Sequence, residues 1–393
     1  MRRPICFFVH HQGRGHAQRT MAIVERMHPA RPVSVVTADP GLFDGFKRDI
    51  ERIALPDMIG ATVPTPALYS QPTPAVMHCV PLGLTAMRRS MRLILDHLDD
   101  RDIGLFVIDV SAELALLARI ASVPAVTIRM HGMRNDPGHL AAYESCTGML
   151  APYDPAIEEP DYPEWARAKT FYSGGLCTHD HGVPDRAAAR ARLGLPAEGE
   201  IVLALTGGGG AGTPYAPLTV AARAAPESLF VTIGPLHREG HETDFANLIN
   251  HGWVKRPADY IAAADIVIGS AGDNTVHEIA KIGRPYICAP EWRYFDEQTG
   301  KAQRLAALGA AIHMARWPGD FQGWQAVLAE ARTLDVSRLM RLYDPDAASH
   351  AADWLESRVD TLWADARPDA AETAAVAGAR VIPIGESLGA GSA

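Results

Sequence analysis

The sequence has few cysteines and no long apolar run. Its five cysteines are scattered over 393 residues without a Cys-x-x-Cys pair, which argues against a disulfide framework or a structural zinc site and fits a reducing cytoplasm. Because no stretch of about 18 consecutive apolar residues occurs, we expect no membrane-spanning helix. The net charge of −9 comes without a stripe of basic residues, so we expect no nucleic-acid partner.

The composition is that of an ordinary globular protein, with 47% apolar and 21% charged residues. Short apolar runs alternate with longer amphipathic stretches, which predicts parallel α/β sheets. The alternation pauses in a proline-rich stretch at 132–175 and resumes at Ile201. The sequence therefore predicts two Rossmann-like α/β domains that face each other across a cleft. The predicted segments are 1–172 and 173–340 for the two domains, 341–366 for a helical segment and 367–393 for a flexible tail.

A glycine-containing loop follows the first predicted strand and precedes a helix that we expect to begin near Ala17. It reads His-His-Gln-Gly-Arg-Gly-His from His10 to His16, and such glycines let the backbone approach a phosphate at a helix N-terminus. A dinucleotide-binding dehydrogenase would need a third glycine where this chain has Gln18. Asp39, at the end of a later strand, keeps that alternative open, as does a simple tight turn with surface histidines.

The loop from Thr206 to Gly212 follows another predicted strand and contains five glycines, at Gly207, Gly208, Gly209, Gly210 and Gly212. Each glycine has a conformational entropy cost, so close approach to a phosphate is the simplest reason for so many. The lysine and Ser/Thr of a Walker loop are missing. A flexible loop without a ligand is the alternative interpretation.

A third strand, glycine turn and helix start run from Gly269 to Glu278. Asp273 or Asn274 could cap the helix, and its first amides could hold a diphosphate. A carboxylate at Glu278, one turn further along, could accept two hydrogen bonds from a ribose diol. A plain surface glutamate is the alternative.

The stretch from Gly269 to Glu278, followed by Ala280–Pro285, Pro290 and Asp296–Gln298, resembles the nucleotide-sugar half of GT-B glycosyltransferases. It is most similar to family 28, the bacterial peptidoglycan N-acetylglucosaminyltransferases and their relatives. The resemblance implies inverting transfer of a sugar from a UDP- or dTDP-sugar to a hydroxyl of a lipid-linked or small-molecule acceptor. It implies no metal and no cofactor other than the nucleotide-sugar co-substrate.

The resemblance also assigns roles to residues of the C-terminal half. Glu278 would bind the ribose, Gln298 with Asp296 and Glu297 would read the sugar hydroxyls, and the backbone of 253–255 would meet the base. The residues implied for the diphosphate are Gly207, Gly208, Gly209, Gly210, Ser270, Ala271, Gly272, Asp273 and Asn274.

In the N-terminal half, the resemblance to plant-type relatives of the fold implies a catalytic pair of His16 and Asp109. Histidine titrates near neutral pH and can take a proton from an acceptor hydroxyl. Gly13, Arg14, Gly15 and His131 are expected on the acceptor side, where Arg14 could pair with a phosphate or carboxylate.

Two further patterns have ordinary interpretations that we favour. Asp344-Pro345-Asp346 predicts a turn and Cys177–His181 a solvated linker, rather than metal sites. Residues 82–98 predict an amphipathic helix that packs on the core, and contact with the inner face of a membrane is the alternative.

Three other functions remain open from the sequence. A nucleotide-sugar hydrolase or epimerase of the same fold would release free or epimerised sugar, and a non-catalytic nucleotide-sugar-binding protein would bind without turnover. The dehydrogenase alternative predicts affinity for NAD instead.

Overall fold

The computed structural model describes residues 2–58, 62–178, 182–207 and 210–364. Three sets of residues discussed above lie outside this part of the chain: Gly208 and Gly209, residues 179–181 of the linker, and the predicted tail at 367–393.

The N-terminal domain is built on a seven-stranded parallel sheet in the order β3-β2-β1-β4-β5-β6-β7. Its strands are Ile5–Phe8 (β1), Val33–Thr37 (β2), Glu51–Ala54 (β3), Leu105–Asp109 (β4), Ala125–Ile128 (β5), Gly148–Ala151 (β6) and Thr170–Tyr172 (β7). Its helices are Arg14–Arg26 (α1), Pro66–Tyr69 (α2), Thr85–Asp100 (α3), Ala112–Ile120 (α4), Pro137–Ser145 (α5) and Glu164–Arg167 (α6), with short 3-10 turns at Pro40–Phe43 and Pro155–Ile157. The central strands are apolar on both faces because helices cover the sheet on both sides.

The C-terminal domain has a six-stranded parallel sheet in the order β12-β10-β8-β13-β14-β15, and β9 pairs separately with β11. Its strands are Ile201–Leu205 (β8), Thr213–Pro214 (β9), Leu229–Ile233 (β10), Leu236–His237 (β11), Leu248–Asn250 (β12), Ile266–Gly269 (β13), Tyr286–Cys288 (β14) and Ile312–His313 (β15). The helices that follow the first domain are Arg186–Leu193 (α7), Tyr215–Ala224 (α8), Pro257–Ala263 (α9), Asp273–Ile282 (α10), Glu297–Ala307 (α11), Phe321–Arg332 (α12), Ser337–Met340 (α13) and Ala347–Leu362 (α14), with a 3-10 turn at Tyr294–Asp296. The predicted pair of α/β domains is confirmed.

The two domains meet at the carboxyl ends of their central strands. Helix α1 follows β1 and helix α10 follows β13, and the amide of Asn274 in α10 donates to Gln18 in α1 at 2.8 Å. Helix α1 begins at Arg14, three residues earlier than expected, because Gly13 turns the chain sharply with φ at 90°. The first turns of these helices therefore face each other, which is where ligands bind in open α/β sheets.

The last helix, α14, returns to the N-terminal domain. Its Leu355 and Val359 are buried in the same core as Ile5 and Val33, and Trp354 stacks on Phe171 with 5.2 Å between ring centroids. The helical segment that follows the second domain in sequence therefore completes the core of the first.

We expect Leu355→Ala to lower the free energy of unfolding by about 3 kcal/mol, because it leaves a cavity in that core. Urea denaturation followed by circular dichroism measures the change. Leu362→Ala, in the same helix but 41% exposed, is the control and should cost less than about 1 kcal/mol. Equal losses in the two variants would contradict the packing of α14 on the first domain.

Helix α3, at the position of the predicted amphipathic helix, buries Ile94 and Leu98. Its Arg88 and Arg92 are exposed. Within the described ranges, no helix is both long and apolar enough to cross a bilayer.

Candidate functional site

The structure brings His16 and Asp109 together. His16 lies in the first turn of α1 and Asp109 is the last residue of β4, and His16 Nδ1 is 2.8 Å from Asp109 Oδ2. With a carboxylate as its partner, Nδ1 carries the hydrogen, and Nε2 keeps its lone pair. The residue after Asp109 is Val110, which has a φ of 71°. This conformation is rare for a β-branched residue, and such strain is commonly found at functional sites.

Asp109 is a buried carboxylate, only 4% exposed, with two cationic or hydrogen-bonding partners. Burial by itself would raise its pKa, but the charge of Arg19, together with His16, holds the pKa of Asp109 well below its usual range. Arg19 Nη2 donates to Asp109 Oδ1 at 2.8 Å. Asp109 is therefore ionised at any pH near neutrality, as a residue that orients an imidazole must be.

A second histidine, His10, lies beside this pair. Its ring centroid is 5.6 Å from that of His16 and it stacks on His11 at 5.5 Å. Burial, helped by the proximity of His16, lowers the pKa of His10 to about 4, so it is neutral at physiological pH. The sequence placed His10 only in a glycine loop, because its burial depends on the packing around the loop.

The third glycine turn forms the N-terminus of α10, opposite α1. Neither Asp273 nor Asn274 caps this helix, so the predicted capping is wrong. Asn274 instead bonds to Gln18 of the other domain, and Asp273 forms ion pairs with Lys301 and, at 3.5 Å, with Arg19. Burial would raise the pKa of Asp273, but Lys301 and its other cationic neighbours hold it well below the usual range.

The other predicted residues of this turn leave room at the helix end. Ser270 and Ala271 are buried, whereas Gly272 is partly exposed. A Cβ added at Gly272 would meet no atom closer than 3.8 Å. The backbone amides at the start of α10 thus combine with the positive end of the helix dipole, an arrangement that suits an anion.

Glu278 lies on α10 and is 6% exposed. Burial raises its pKa to about 7, and the charge of Lys281 opposes that rise only in part. The carboxyl group is thus close to half ionised at neutral pH, so its ability to act as an anionic acceptor depends on pH.

The predicted sugar-reading residues have different environments. Gln298 is 4% exposed, and its Oε1 accepts hydrogen bonds from the amides of Ala271 at 3.2 Å and Glu291 at 2.8 Å. Glu297 forms an ion pair at 2.9 Å with Arg134 of the other domain, and Asp296 is exposed with a φ of 52°. The carbonyl oxygen of Gln298 thus holds two loops together and is not available for a sugar hydroxyl.

In the second glycine loop the structure describes Gly207 and Gly210, on either side of the undescribed pair Gly208 and Gly209. Gly207 is exposed, and a Cβ there would meet nothing within 4 Å. A Cβ at Gly210 would lie 2.1 Å from a carboxylate oxygen of Glu291, so only glycine fits beside that side chain. Trp253, near the predicted base-binding backbone, is 67% exposed.

The predicted acceptor-side residues do not all reach the cleft. Gly13 and Arg14 are exposed, and a Cβ at Gly15 would lie 3.6 Å from the Asn274 amide of the other domain. His131, by contrast, is fully buried, with Nε2 3.0 Å from the Ile157 carbonyl oxygen. It is buried where the two domains meet, close enough to Lys301 and Asp273 of the other domain for their charges to act on its ring.

One group of potential metal ligands occurs among the described residues: His78, Asp136 and His139. The Asp136 carboxylate already caps α5 through the amides of Gly138 and His139 and pairs with the His139 ring. The His78 ring lies 4.5 Å from that of His139 and 5.3 Å from that of Phe295. This group thus lies where the two domains meet, and the sequence did not single it out because its members come from separate segments.

Comparisons with known proteins agree with this arrangement. Residues 221–316 match the glycosyltransferase family 28 C-terminal domain. One relative is the UDP-N-acetylglucosamine--N-acetylmuramyl-(pentapeptide) pyrophosphoryl-undecaprenol N-acetylglucosamine transferase of Rhodococcus erythropolis. It is 26% identical over 324 residues, which cover 76% of this chain and 78% of that protein.

Two solved structures show the same fold at low identity. The MurG protein of Acinetobacter baumannii superposes with a TM-score of 0.61 at 15% identity, over 91% of this chain and 100% of that one. The spinosyn rhamnosyltransferase SpnG, complexed with thymidine diphosphate, gives a TM-score of 0.57 at 16% identity, over 91% of this chain and 99% of that one. The predicted GT-B arrangement of two Rossmann-like domains is confirmed.

Proposed function

We propose that this GT-B glycosyltransferase, whose C-terminal domain contains a family 28 match, moves a sugar from a UDP- or dTDP-sugar to an acceptor hydroxyl with inversion and without a metal. The observation that carries the proposal is the pair of His16 and Asp109 at 2.8 Å, which faces the N-terminus of α10. A base on one domain and an anion-binding helix end on the other are the two groups that sugar transfer from a nucleoside diphosphate requires.

His16 would remove the proton of the acceptor hydroxyl through Nε2 while Asp109 stabilises the imidazolium that forms. The oxygen then attacks the anomeric carbon as the bond to the diphosphate breaks. In a single displacement the acceptor oxygen would approach the anomeric carbon opposite the leaving diphosphate, a path that a base and a diphosphate site on facing domains would permit. Such a displacement inverts the configuration.

The departing diphosphate gains negative charge as the bond breaks. The amides of 272–274, at the start of α10, would stabilise that charge with dipoles that need no reorganisation. Lys301 and Arg19 lie close to this helix end, where their charges offset those of the carboxylates of Asp273 and Asp109. These groups support the proposal that catalysis does not require a bound metal ion.

We favour a lipid-linked acceptor at the cytoplasmic face of a membrane over a small soluble one. Tyr69, Val76 and Leu82 are 79%, 51% and 51% exposed, in the segment that carries His78 to the domain junction. Clustered exposed apolar side chains commonly mark a binding surface. Three exposed arginines of α3, Arg88, Arg89 and Arg92, lie just beyond this segment and could contact anionic lipid headgroups.

The test is transfer by the purified protein from UDP- and dTDP-sugars to a panel of polyprenyl-linked and soluble hydroxyl acceptors, with and without EDTA. The proposal expects an inverted glycoside whose yield EDTA does not change. Free sugar without acceptor would identify a hydrolase, an altered epimer an epimerase, and nucleotide binding without turnover a non-catalytic protein. Binding of NAD alone would reject the proposal.

The raised pKa of Glu278, about 7, predicts that donor affinity falls in acid. Protonation removes the anionic acceptor from the ribose diol but leaves a neutral acceptor oxygen, so affinity should fall by about tenfold in total as the pH drops through that pKa. Calorimetric titration with a UDP-sugar measures the donor affinity at each pH. The diphosphate of the UDP-sugar is a diester and does not change its protonation in this pH range, so the ligand itself adds no pH dependence. The matched control is Glu278→Gln, whose affinity should stay flat with pH. A wild-type affinity equally flat from about pH 5.5 to about pH 8.5 would contradict the assignment.

A further inference from the structure

Arg19 contacts both halves of the site. It lies one turn after His16 on the same face of α1, and its side chain is 7% exposed. Its Nη2 donates to Asp109 at 2.8 Å and lies 3.2 Å from His16 Nδ1. Its Nη1 lies 3.5 Å from Asp273 Oδ2, on the opposite domain.

These contacts divide the Asp109 carboxylate between two partners. One oxygen faces His16 and the other accepts from Arg19, so the carboxylate cannot rotate without losing a charge-assisted hydrogen bond. A buried carboxylate also needs a nearby cation to stay ionised. Arg19 supplies both the orientation and the charge.

Arg19 also extends the contact across the domain boundary. Asp273 is the first residue of α10. Its Oδ2 faces Arg19, and its Oδ1 accepts a hydrogen bond from Lys301 Nζ. The five side chains form one continuous chain of charges in the order His16, Asp109, Arg19, Asp273 and Lys301. The helix end that would hold the diphosphate is thus joined to the base pair by one guanidinium.

We propose that Arg19 is a positioning residue that couples the donor-binding helix to the base pair, by fixing Asp109 and by placing a permanent positive charge beside His16. This inference rests on the proposed function. Asp273 contacts one end of the guanidinium while Asp109 accepts from the other, so loss of either contact should leave the base pair less well ordered.

The charged and titratable groups around His16 come from several elements. Asp109 and Arg19 are in contact with it, and His10 lies beside it. His11 and Asp57 lie beyond His10, and Asp273 and Lys301 lie beyond Arg19. Of these, Arg19 is the nearest permanent cation, so its removal should have the largest effect on proton binding by the pair.

Arg19→Gln tests the inference through the pH dependence of kcat/KM. Loss of the cation lets the pair of His16 and Asp109 bind its proton more tightly, so the acid limb should move to higher pH by about one unit or more. Misorientation of Asp109 should also lower kcat by about 10- to 100-fold. Arg19→Lys keeps the positive charge but loses the guanidinium, whose two terminal nitrogens contact Asp109 and Asp273. It should therefore lower kcat while leaving the acid limb of the pH profile near its wild-type position. Arg341→Gln, at an exposed arginine just after α13, is the charge control and should change neither.

A second readout needs no turnover. In protein labelled with ¹³C-histidine, the signal that His16→Asn removes identifies His16, and its NMR titration in Arg19→Gln should move in the same direction as the acid limb. This measurement separates the two failures. If the protein transfers no sugar but the His16 titration shifts in Arg19→Gln, the proposed function is rejected and the electrostatic role of Arg19 stands. If the enzyme is active but the His16 titration does not shift, the inference is overturned.

Asp273→Asn provides a variant for the case in which Arg19→Gln does not fold. It removes an anion on the far side of Arg19, so the His16 titration should move to lower pH, opposite to the effect of Arg19→Gln. No movement would show that the donor-side helix is not coupled to the base pair and would overturn the inference.

Discussion

Replacing His16 by asparagine should lower kcat by about 1,000-fold, the typical contribution of a positioned general base. Asparagine keeps a polar group near Asp109 but cannot take a proton from the acceptor hydroxyl. Affinity for the UDP- or dTDP-sugar should stay unchanged, because the proposed donor contacts lie on the opposite domain. Steady-state kinetics with saturating acceptor, together with calorimetric titration of the donor, measures both quantities.

The matched control is His28→Asn, an exposed histidine just after α1. Its ring nitrogen accepts a hydrogen bond from the Ala30 amide at 3.1 Å, which asparagine can also accept, so activity should not change. Near-wild-type turnover by His16→Asn would remove His16 as the base. Loss of donor binding in that variant would instead show that the substitution disturbs the domain contact.

Glu278→Ala should weaken donor binding by about 100-fold at a pH above the raised pKa, with a smaller effect on kcat. Two hydrogen bonds from a ribose diol to a carboxylate are together worth about 3 kcal/mol, and every 1.4 kcal/mol is about tenfold in affinity. Calorimetric titration with UDP- and dTDP-sugars measures the change.

Two further variants provide an intermediate case and a control for that result. Glu278→Gln retains an acceptor oxygen without the charge and should lose about tenfold in affinity, between wild type and alanine. Glu330→Ala, an exposed glutamate of α12, should bind as wild type does. Unchanged affinity in Glu278→Ala would show that the ribose is held elsewhere, with the backbone near Trp253 as the next segment to test.

The sequence patterns predicted the fold and located the two facing helices, because both depend on local chemistry. An apolar run followed by a glycine turn and an amphipathic stretch specifies a strand, a turn and a helix within about 20 residues. The alternation of such units predicted parallel sheets. The interruption of that alternation at 132–175 indicated two separate sheets, one in each domain. The placement of His16 at the start of one helix, and of Glu278 more than a turn into the other, followed directly.

The roles of individual side chains within these turns were less accessible to sequence reasoning. Gln298 satisfies two backbone amides, His131 is internal, and Asp273 and Asn274 bond to other side chains instead of capping their helix. Each outcome depends on which distant segment lies opposite, which one sequence does not indicate.

The sequence by itself determined the local elements, the glycine turns and the residue types able to bind a diphosphate, a ribose and a proton. The tertiary structure alone decided that α14 completes the first domain and that Arg19 connects Asp109 to Asp273. Backbone conformation responds to neighbours a few residues away, whereas buried charges are stabilised only by partners that folding brings from far along the chain.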